Sequence, residues 1–247
     1  MKNNNRAGFD YRNVFLGKGA DNYESGIYKK NSYYSLMWEL EKEYLKKFLK
    51  KNRFKDYLDF ACGSGRVITF AEDFVENSTG VDVSTDMLKI TRGKVKKSNL
   101  IQRDITQKSI SKKFDLITAY RFFLNAQNDL RHEILAEFKK MVKKDSYIVV
   151  SNQGNRTSAI FLTAPLETIL FGKRLNMLSK NDLVKLFEPY GFKLVEYRGF
   201  GFLPKALYST PLLKKLFYYI DLFLYKLKIF SYLSHNQTLI FKSVNKK

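Results

Sequence analysis

The chain has 247 residues, 45% hydrophobic and 28% charged, with a formal net charge of +20. That length allows one large α/β domain, or one domain with a small cap, and the composition excludes a disordered or fibrous chain. No run of about 20 apolar residues is free of charge, so a spanning helix is not expected. The single cysteine, Cys62, excludes an internal disulfide and fits a reducing cytoplasm. Met1 to Arg6 leads into no apolar stretch, so no secretory leader is expected.

The excess of positive charge suits an anionic partner: nucleic acid, an acidic or phosphorylated substrate, or an anionic membrane surface. The lysines are scattered, however, and no run of five or more basic residues occurs. Compositional drift in a chain rich in Lys, Asn, Ile, Tyr and Phe accounts for the charge equally well.

Residues 1–32 are polar and read as an irregular N-terminal arm. From Tyr33 to Lys51 apolar residues recur at three- and four-residue steps, which predicts an amphipathic helix, with Lys46, Lys47, Lys50 and Lys51 placed favourably near its C-terminus. Strands are expected at Asp56–Phe60, Thr79–Val83, Asn99–Gln102, Phe114–Ala119 and Ser146–Asn152. Helices are expected between them at Gly65–Glu76, Ser84–Lys94 and Asp129–Val142. This alternation predicts βαβ units and a largely parallel sheet. A cap at Ser179 opens a helix reaching about Tyr190, Gly191 stops it, and strands follow at Phe192–Tyr197 and Gln237–Ser243. Residues 33–247 thus read as one domain with cap insertions at about 153–178 and 200–234.

Chemistry is concentrated where the first strand ends. Tyr57-Leu58-Asp59-Phe60-Ala61-Cys62-Gly63-Ser64-Gly65-Arg66 is an apolar run that ends in small residues and then enters a helix. Small residues let the backbone approach a ligand, and a helix N-terminus offers free N–H groups. No G-x-x-x-x-G-K-[ST] phosphate loop occurs. A G-x-G-x-x-G dinucleotide fingerprint fails too, because Ile68 stands where its third glycine belongs. The spacing present is Asp59, Ala61, Gly63, Gly65. A second apolar strand, Thr79-Gly80-Val81-Asp82-Val83-Ser84, places an acid 17 residues past Gly65, and Gln102-Arg103-Asp104-Ile105 and Lys113-Phe114-Asp115-Leu116-Ile117-Thr118-Ala119-Tyr120 follow.

On these motifs the chain resembles the class I S-adenosylmethionine-dependent methyltransferases from about Asp56 to Asn152. The resemblance implies a Rossmann-like, seven-stranded, mostly parallel sheet with helices on both faces and an antiparallel last strand, plus helical cap insertions. It implies S-adenosylmethionine as cofactor, cradled by Asp59, Ala61, Cys62, Gly63 and Gly65. Asp82 would accept the ribose hydroxyls with Val83 beside it, since a carboxylate can take two O–H donors. Met87 would lie near the adenine, Asp104 would accept the adenine amino group, and Ile105 would pack on the ring. Tyr120 and Arg121 would line the space between cofactor and acceptor and carry the catalytic role, with His235 as a general base. Each residue also has a plainer use: Asp82 as a helix cap, Asp104 as a turn residue, Cys62 as a small side chain in a crowded loop, His235 and His132 as loop and surface histidines.

The methyl group of a sulfonium is already electrophilic, so holding the acceptor in line supplies much of the rate. No metal-ligand spacing is present. The segment Ala119-Tyr120-Arg121-Phe122 lacks the Asn/Asp-Pro-Pro-aromatic signature of DNA amino methylation, and no cysteine beyond Cys62 offers the nucleophile of cytosine C5 methylation. The reading that results is methyl transfer to a small hydroxylated or acidic acceptor, a sugar or lipid-linked glycan among them, with Asn152, Gln153 and Asn155 at the strand ends to bind hydroxyls. RNA modification and non-catalytic adenosylmethionine binding are the alternatives. The apolar segment 211–233 reads as a helix buried under the cap or against a dimer partner, as an apolar wall for a lipid-linked substrate, or as a peripheral membrane contact, its Lys214, Asp221 and Lys228 marking one narrow polar face. A cytoplasmic protein is the expectation, membrane-associated if segment 211–233 is the membrane contact.

Overall fold

Strands β1 (Phe54–Phe60), β2 (Val75–Asp82), β3 (Asn99–Gln102), β4 (Phe114–Tyr120), β5 (Val142–Gln153), β6 (Phe192–Phe200) and β7 (Asn236–Ser243) join in one sheet ordered β3-β2-β1-β4-β5-β7-β6. Pairing is parallel from β3 through β5, and β7 runs antiparallel to both of its neighbours. The expected Rossmann-like arrangement with an antiparallel last strand is therefore the observed one. This computed structural model describes residues 10–14, 32–158, 177–204, 207–208 and 213–244. Most of the expected arm and parts of both expected insertions, Pro165, Gly172 and Pro211 among them, lie outside the described residues.

The helices are α1 (Tyr33–Lys51), α2 (Arg66–Ala71), α3 (Thr85–Arg92), α4 (Phe122–Asn125), α5 (Asn128–Met141), α6 (Lys180–Phe187) and α7 (Lys214–Lys226). Local signals start and stop several of them. The Ser32 side chain accepts from Ser35 N at the head of α1, and Ser84 accepts from Met87 N at the head of α3. Ser179 and Asp182 form a reciprocal capping box at α6, and a 3-10 turn then ends at Gly191 with φ +84°, a conformation that favours glycine.

Alternation along the strands divides the core in two. Leu58, Ile117, Ile148, Val150 and Phe241 face α5 and α6, where Phe138 and Phe187 fill the layer. Tyr57, Leu116, Val149 and Ile240 face α1 and α2, where Met37, Leu45 and Ile68 do so. Central strands buried on both faces are what helices on two sides of a parallel sheet require.

Boundaries differ from the sequence reading where polar residues pair in strands. β2 begins at Val75 rather than Thr79, because Val75 and Asn77 pair with Phe54 and Asp56 at the polar foot of the sheet. The preceding helix stops at Ala71 rather than Glu76. There the Glu72 carboxylate turns aside to accept the N–H groups of Lys96, Lys97 and Ser98. β5 begins at Val142, paired with Phe114, and crosses an irregularity before the expected start at Ser146. The four-residue helix α4 carried no sequence signal.

The expected polar face of the 211–233 segment is corrected. Asp221 is fully buried, where it accepts the Phe202 N–H at 2.7 Å and pairs with the Tyr208 hydroxyl. Burial raises its carboxyl to about 7, against the pull of the main-chain donors Phe202 and Leu203. The side of α7 that meets solvent is instead apolar, with Leu216, Tyr219 and Phe223 exposed.

Candidate active site

Strand order reverses between β1 and β4, the place where open α/β sheets leave a crevice at their carboxyl ends. A cavity of about 430 Å³ opens there. Its floor is the turn after β1. Ala61, Gly63 and Gly65 all adopt positive φ, at 52°, 54° and 83°. Gly65 is constrained twice, since a Cβ there would also lie 2.6 Å from Thr91 Cγ2. Thr91 in turn donates to Gly63 O at 2.6 Å, so α3 clamps the turn from behind. Gly65 itself does not line the cavity; its contribution is the shape of the turn.

Two acids meet this turn. Asp82 Oδ2 accepts the Gly63 N–H at 2.8 Å and Oδ1 accepts the Ser84 N–H at 2.9 Å. Burial nonetheless raises its carboxyl above the usual range, against the pull of those donors. Asp59 is fully buried; its Oδ1 accepts the Thr118 hydroxyl at 2.6 Å. Its Oδ2 has no partner at hydrogen-bond geometry among the described residues, although the nearby Ile68 amide lowers the carboxyl's pKa by a weaker interaction. Burial outweighs these donors and raises the Asp59 carboxyl to about 7.

Val83, Met87, Asp104 and Ile105 line the side of the cavity toward β2 and β3. Asp104 already has neighbours. Its Oδ1 accepts Thr106 N at 2.9 Å in a turn, and its Oδ2 accepts Arg12 Nη1 at 3.1 Å. The turn role and the cavity position thus coexist in one residue. The 3-10 turn Tyr11–Asn13, part of the N-terminal arm, lies across this end, with Tyr11 edge-on to Phe122 at 5.7 Å between ring centroids.

The opposite end, beyond β4, carries Arg66, Tyr120 and Arg121. Arg121 holds a left-handed backbone, φ +62°, unusual for a non-glycine residue. Its Nη2 stands 3.5 Å from Glu41 Oε2, while the Ser151 hydroxyl donates to Glu41 Oε1 at 2.7 Å. Glu41 is fully buried on α1, and burial raises its carboxyl against the Arg66 charge and the Ser151 hydroxyl. The Arg66 guanidinium lies 4.5 Å over the Trp38 ring. The buried Tyr120 hydroxyl has no hydrogen-bond partner among the described residues.

Several expected site residues lie elsewhere. His235 is outside the cavity lining. Its main chain ties loops together, donating to Gly201 O and accepting from Gly154 and Asn155. Asn152 and Asn155 are spent on loop carbonyls, Asn152 on Leu178 O and Asn155 on Tyr232 O and Ser234 O, and of that group Gln153 alone lines the cavity. His132 is exposed, with Nδ1 2.9 Å from the Tyr190 hydroxyl. Cys62 lines the cavity, and burial, with Asp59 and Asp82 nearby, pushes its thiol well above its ordinary value, opposite to the lowered value of a reactive thiol.

Residues 58–150 match the methyltransferase domain family. The fold is the one that class I methyltransferase domains share. The cofactor of that domain is S-adenosylmethionine. Solved structures share its fold. The magnesium protoporphyrin IX methyltransferase of Synechocystis, crystallised with S-adenosylhomocysteine, is 12% identical with a TM-score of 0.66, over 94% of this chain and 98% of that one. The N-methyltransferase NodS of Bradyrhizobium japonicum is 12% identical at TM-score 0.60, over 88% and 91%. An S-adenosylmethionine-dependent methyltransferase of Archaeoglobus fulgidus is 20% identical at 0.58, over 90% and 98%. No curated protein sequence matches the chain.

The residues that line the cavity fit that cofactor. Asp59 Oδ2 is a buried acceptor suited to an ammonium donor. Each Asp82 oxygen holds one main-chain N–H and keeps a lone pair for a ribose hydroxyl. Two neighbours of the site went unassigned in the sequence, though both carried signals. Glu41 sits four residues after Met37 on the apolar stripe of α1, an acid where the periodicity calls for a hydrophobe. Arg66 opens α2, where a cation opposes the helix dipole.

Proposed function

We propose that the methyltransferase transfers a methyl group to a small acceptor bearing a carboxylate, phosphate or hydroxyl group, a class that includes sugars and lipid-linked glycans. One observation carries this reading: Arg66, Tyr120 and Arg121 line the cavity wall beyond the glycine turn, with one buried carboxylate, Glu41, behind them. If Glu41 is ionised, the cluster keeps a net positive charge, which favours an anionic acceptor in a site of low dielectric.

S-adenosylmethionine supplies an electrophilic methyl group. In this reading Asp59 takes the ammonium of the cofactor and Asp82 takes its ribose, while Met87 and Ile105 pack against the adenine. Tyr120 and Arg121 orient the acceptor beside it, and the cavity walls limit water. Orientation of this kind is worth about 7–11 kcal/mol of barrier, so no protein nucleophile is required. We take residues 1–32 as an N-terminal arm, whose Tyr11 and Arg12 line the cavity, and 153–178 and 200–234 as cap insertions of one domain.

The test is transfer of labelled methyl from S-adenosylmethionine into carboxylate, phosphate-bearing and sugar acceptors, with RNA as a separate arm. Label in small acidic or hydroxylated acceptors, lost in Arg121→Met, supports the proposal. Label in RNA alone, falling steeply with salt, replaces it with the nucleic-acid reading.

A further inference from the structure

Helix α7 and the 3-10 turn that follows it, Lys228–Leu233, present an apolar surface to solvent. Leu216, Tyr219, Phe223, Leu227, Ile229 and Tyr232 are all exposed, Phe223 by 61% and Ile229 by 72%. Outside this segment, Val14 and Val195 are the large hydrophobics exposed to a similar degree among the described residues, and they stand singly. Clustering of this kind marks a contact surface rather than the usual scatter.

The orientation of the helix is fixed from beneath. Asp221 and Tyr225, four residues apart, are buried, Asp221 on the Phe202 N–H and Tyr225 stacked on Phe200 at 5.3 Å between ring centroids. With that pair inward, Leu216, Tyr219, Phe223 and Leu227 must face outward, at the spacing of one helical stripe. The single acid between residues 213 and 233 is Asp221, so the exposed surface of the segment carries no negative charge. Its charged neighbours are Lys214, Lys215, Lys226 and Lys228, the last three exposed. The nearest acids on α1, Glu39 and Glu43, lie toward Tyr218 and pair with Lys42 at 2.6 Å and Lys46 at 3.8 Å.

We infer that this surface docks on an anionic lipid bilayer, the helix lying in the plane of the interface. The 13 residues of α7 span about 20 Å, enough to lie along a bilayer surface, and no helix among the described residues is long and apolar enough to cross one. Phe223, Leu227 and Ile229 enter the acyl boundary, tyrosines sit at headgroup level, and lysines meet lipid phosphates. A second copy of this chain is the poorer occupant. Packing the surface on itself sets lysine rims against lysine rims in either helix direction, and the overall charge of +20 adds repulsion. The docked surface also lies near the cavity. Asp221 holds Tyr208, whose ring stands 5.1 Å from Tyr33, and the next residue, Tyr34, lines the cavity.

Co-sedimentation of the full chain with phosphatidylcholine vesicles, with and without phosphatidylglycerol, tests this. The expected result is binding to the anionic vesicles only. It should weaken at least about tenfold in the Phe223→Ser/Ile229→Ser variant and fall as salt rises. Lys226→Glu/Lys228→Glu leaves the apolar face intact and should weaken binding as well, so the inference stays testable if the serine variant misfolds. Three results overturn it: no binding of the wild-type chain, binding untouched by both variants, or a sedimentation-equilibrium dimer that the serine variant dissolves.

Discussion

The main-chain N–H of Gly63 donates to Asp82 Oδ2 across 2.8 Å, joining the glycine turn after the first strand to the acid that ends the second. The bond closes the glycine-turn end of the cavity and fixes the carboxylate while leaving lone pairs free. It also brings the two strongest sequence motifs of the chain into contact.

Replacing Asp82 removes the acceptor for Gly63 and Ser84 as well as the proposed ribose contacts. Hydrogen bonds to a charged group are worth about 1.5–3 kcal/mol each, so Asp82→Ala should weaken S-adenosylmethionine at least about tenfold. Titration calorimetry checks this. A wild-type chain that gives no heat with the cofactor would remove the basis for the cofactor assignments.

Gly65→Ala places a methyl group 2.6 Å from Thr91 Cγ2 at φ +83°. Strain of that kind costs about 1–3 kcal/mol. Thermal unfolding should show a lower Tm, accompanied by weaker cofactor binding because the turn shifts. A Tm equal to wild type would mean that the turn relaxes freely.

Cofactor binding should depend on pH through Asp59. Burial raises its carboxyl to about 7 against the Thr118 hydroxyl, the Ile68 amide and the Arg66 charge, and it accepts an ammonium only when ionised. Affinity should therefore rise from about pH 6 to about pH 8, with proton release on binding at the acid end. Asp59→Asn should bind weakly and flatten the profile. An unchanged slope in that variant would place the titrating group elsewhere.

Stability should run the other way with pH. Asp59 and Asp221 both have folded values raised to about 7, above the unfolded value of 3.8. Their contribution is fully present below about pH 4 and is lost as pH rises through 7. Asp56 opposes them at the acid end: burial raises it, but Lys112 and Lys143 prevail and bring it to about 2, so its contribution is lost only as pH falls through that value. In chemical denaturation, Asp221→Asn should lessen the decline between about pH 4 and 7. An identical pH profile would show that burial of Asp221 is relieved in solution.

Glu41→Gln keeps the shape under Arg121 but removes the charge. Acceptor turnover should fall while cofactor affinity changes little, because Glu41 meets Arg121 and Ser151 rather than the glycine turn. Comparing kcat and acceptor KM with the cofactor Kd separates the two effects. An equal loss in all three would indicate a purely structural role.

Much of this was legible in the sequence because its causes are local. Strand and helix periods, the caps at Ser84 and Ser179, the stop at Gly191 and the small residues from Ala61 to Gly65 each act within a few positions of the chain. Together they determined the order of elements, the sheet type and the place of the cofactor turn. Tertiary structure decided what depends on distant partners. Arg12 reaches Asp104 across 92 positions, and Ser151 reaches Glu41 across 110. Asn155 is consumed by carbonyls near Ser234, and Asp221 turns inward because Phe202 and Tyr208 meet it there. A polar side chain reads alike in sequence whether it serves a ligand, a loop or a neighbouring element. Only packing sets which donor reaches it first, since a buried polar group must be satisfied by whatever the fold brings within about 3 Å.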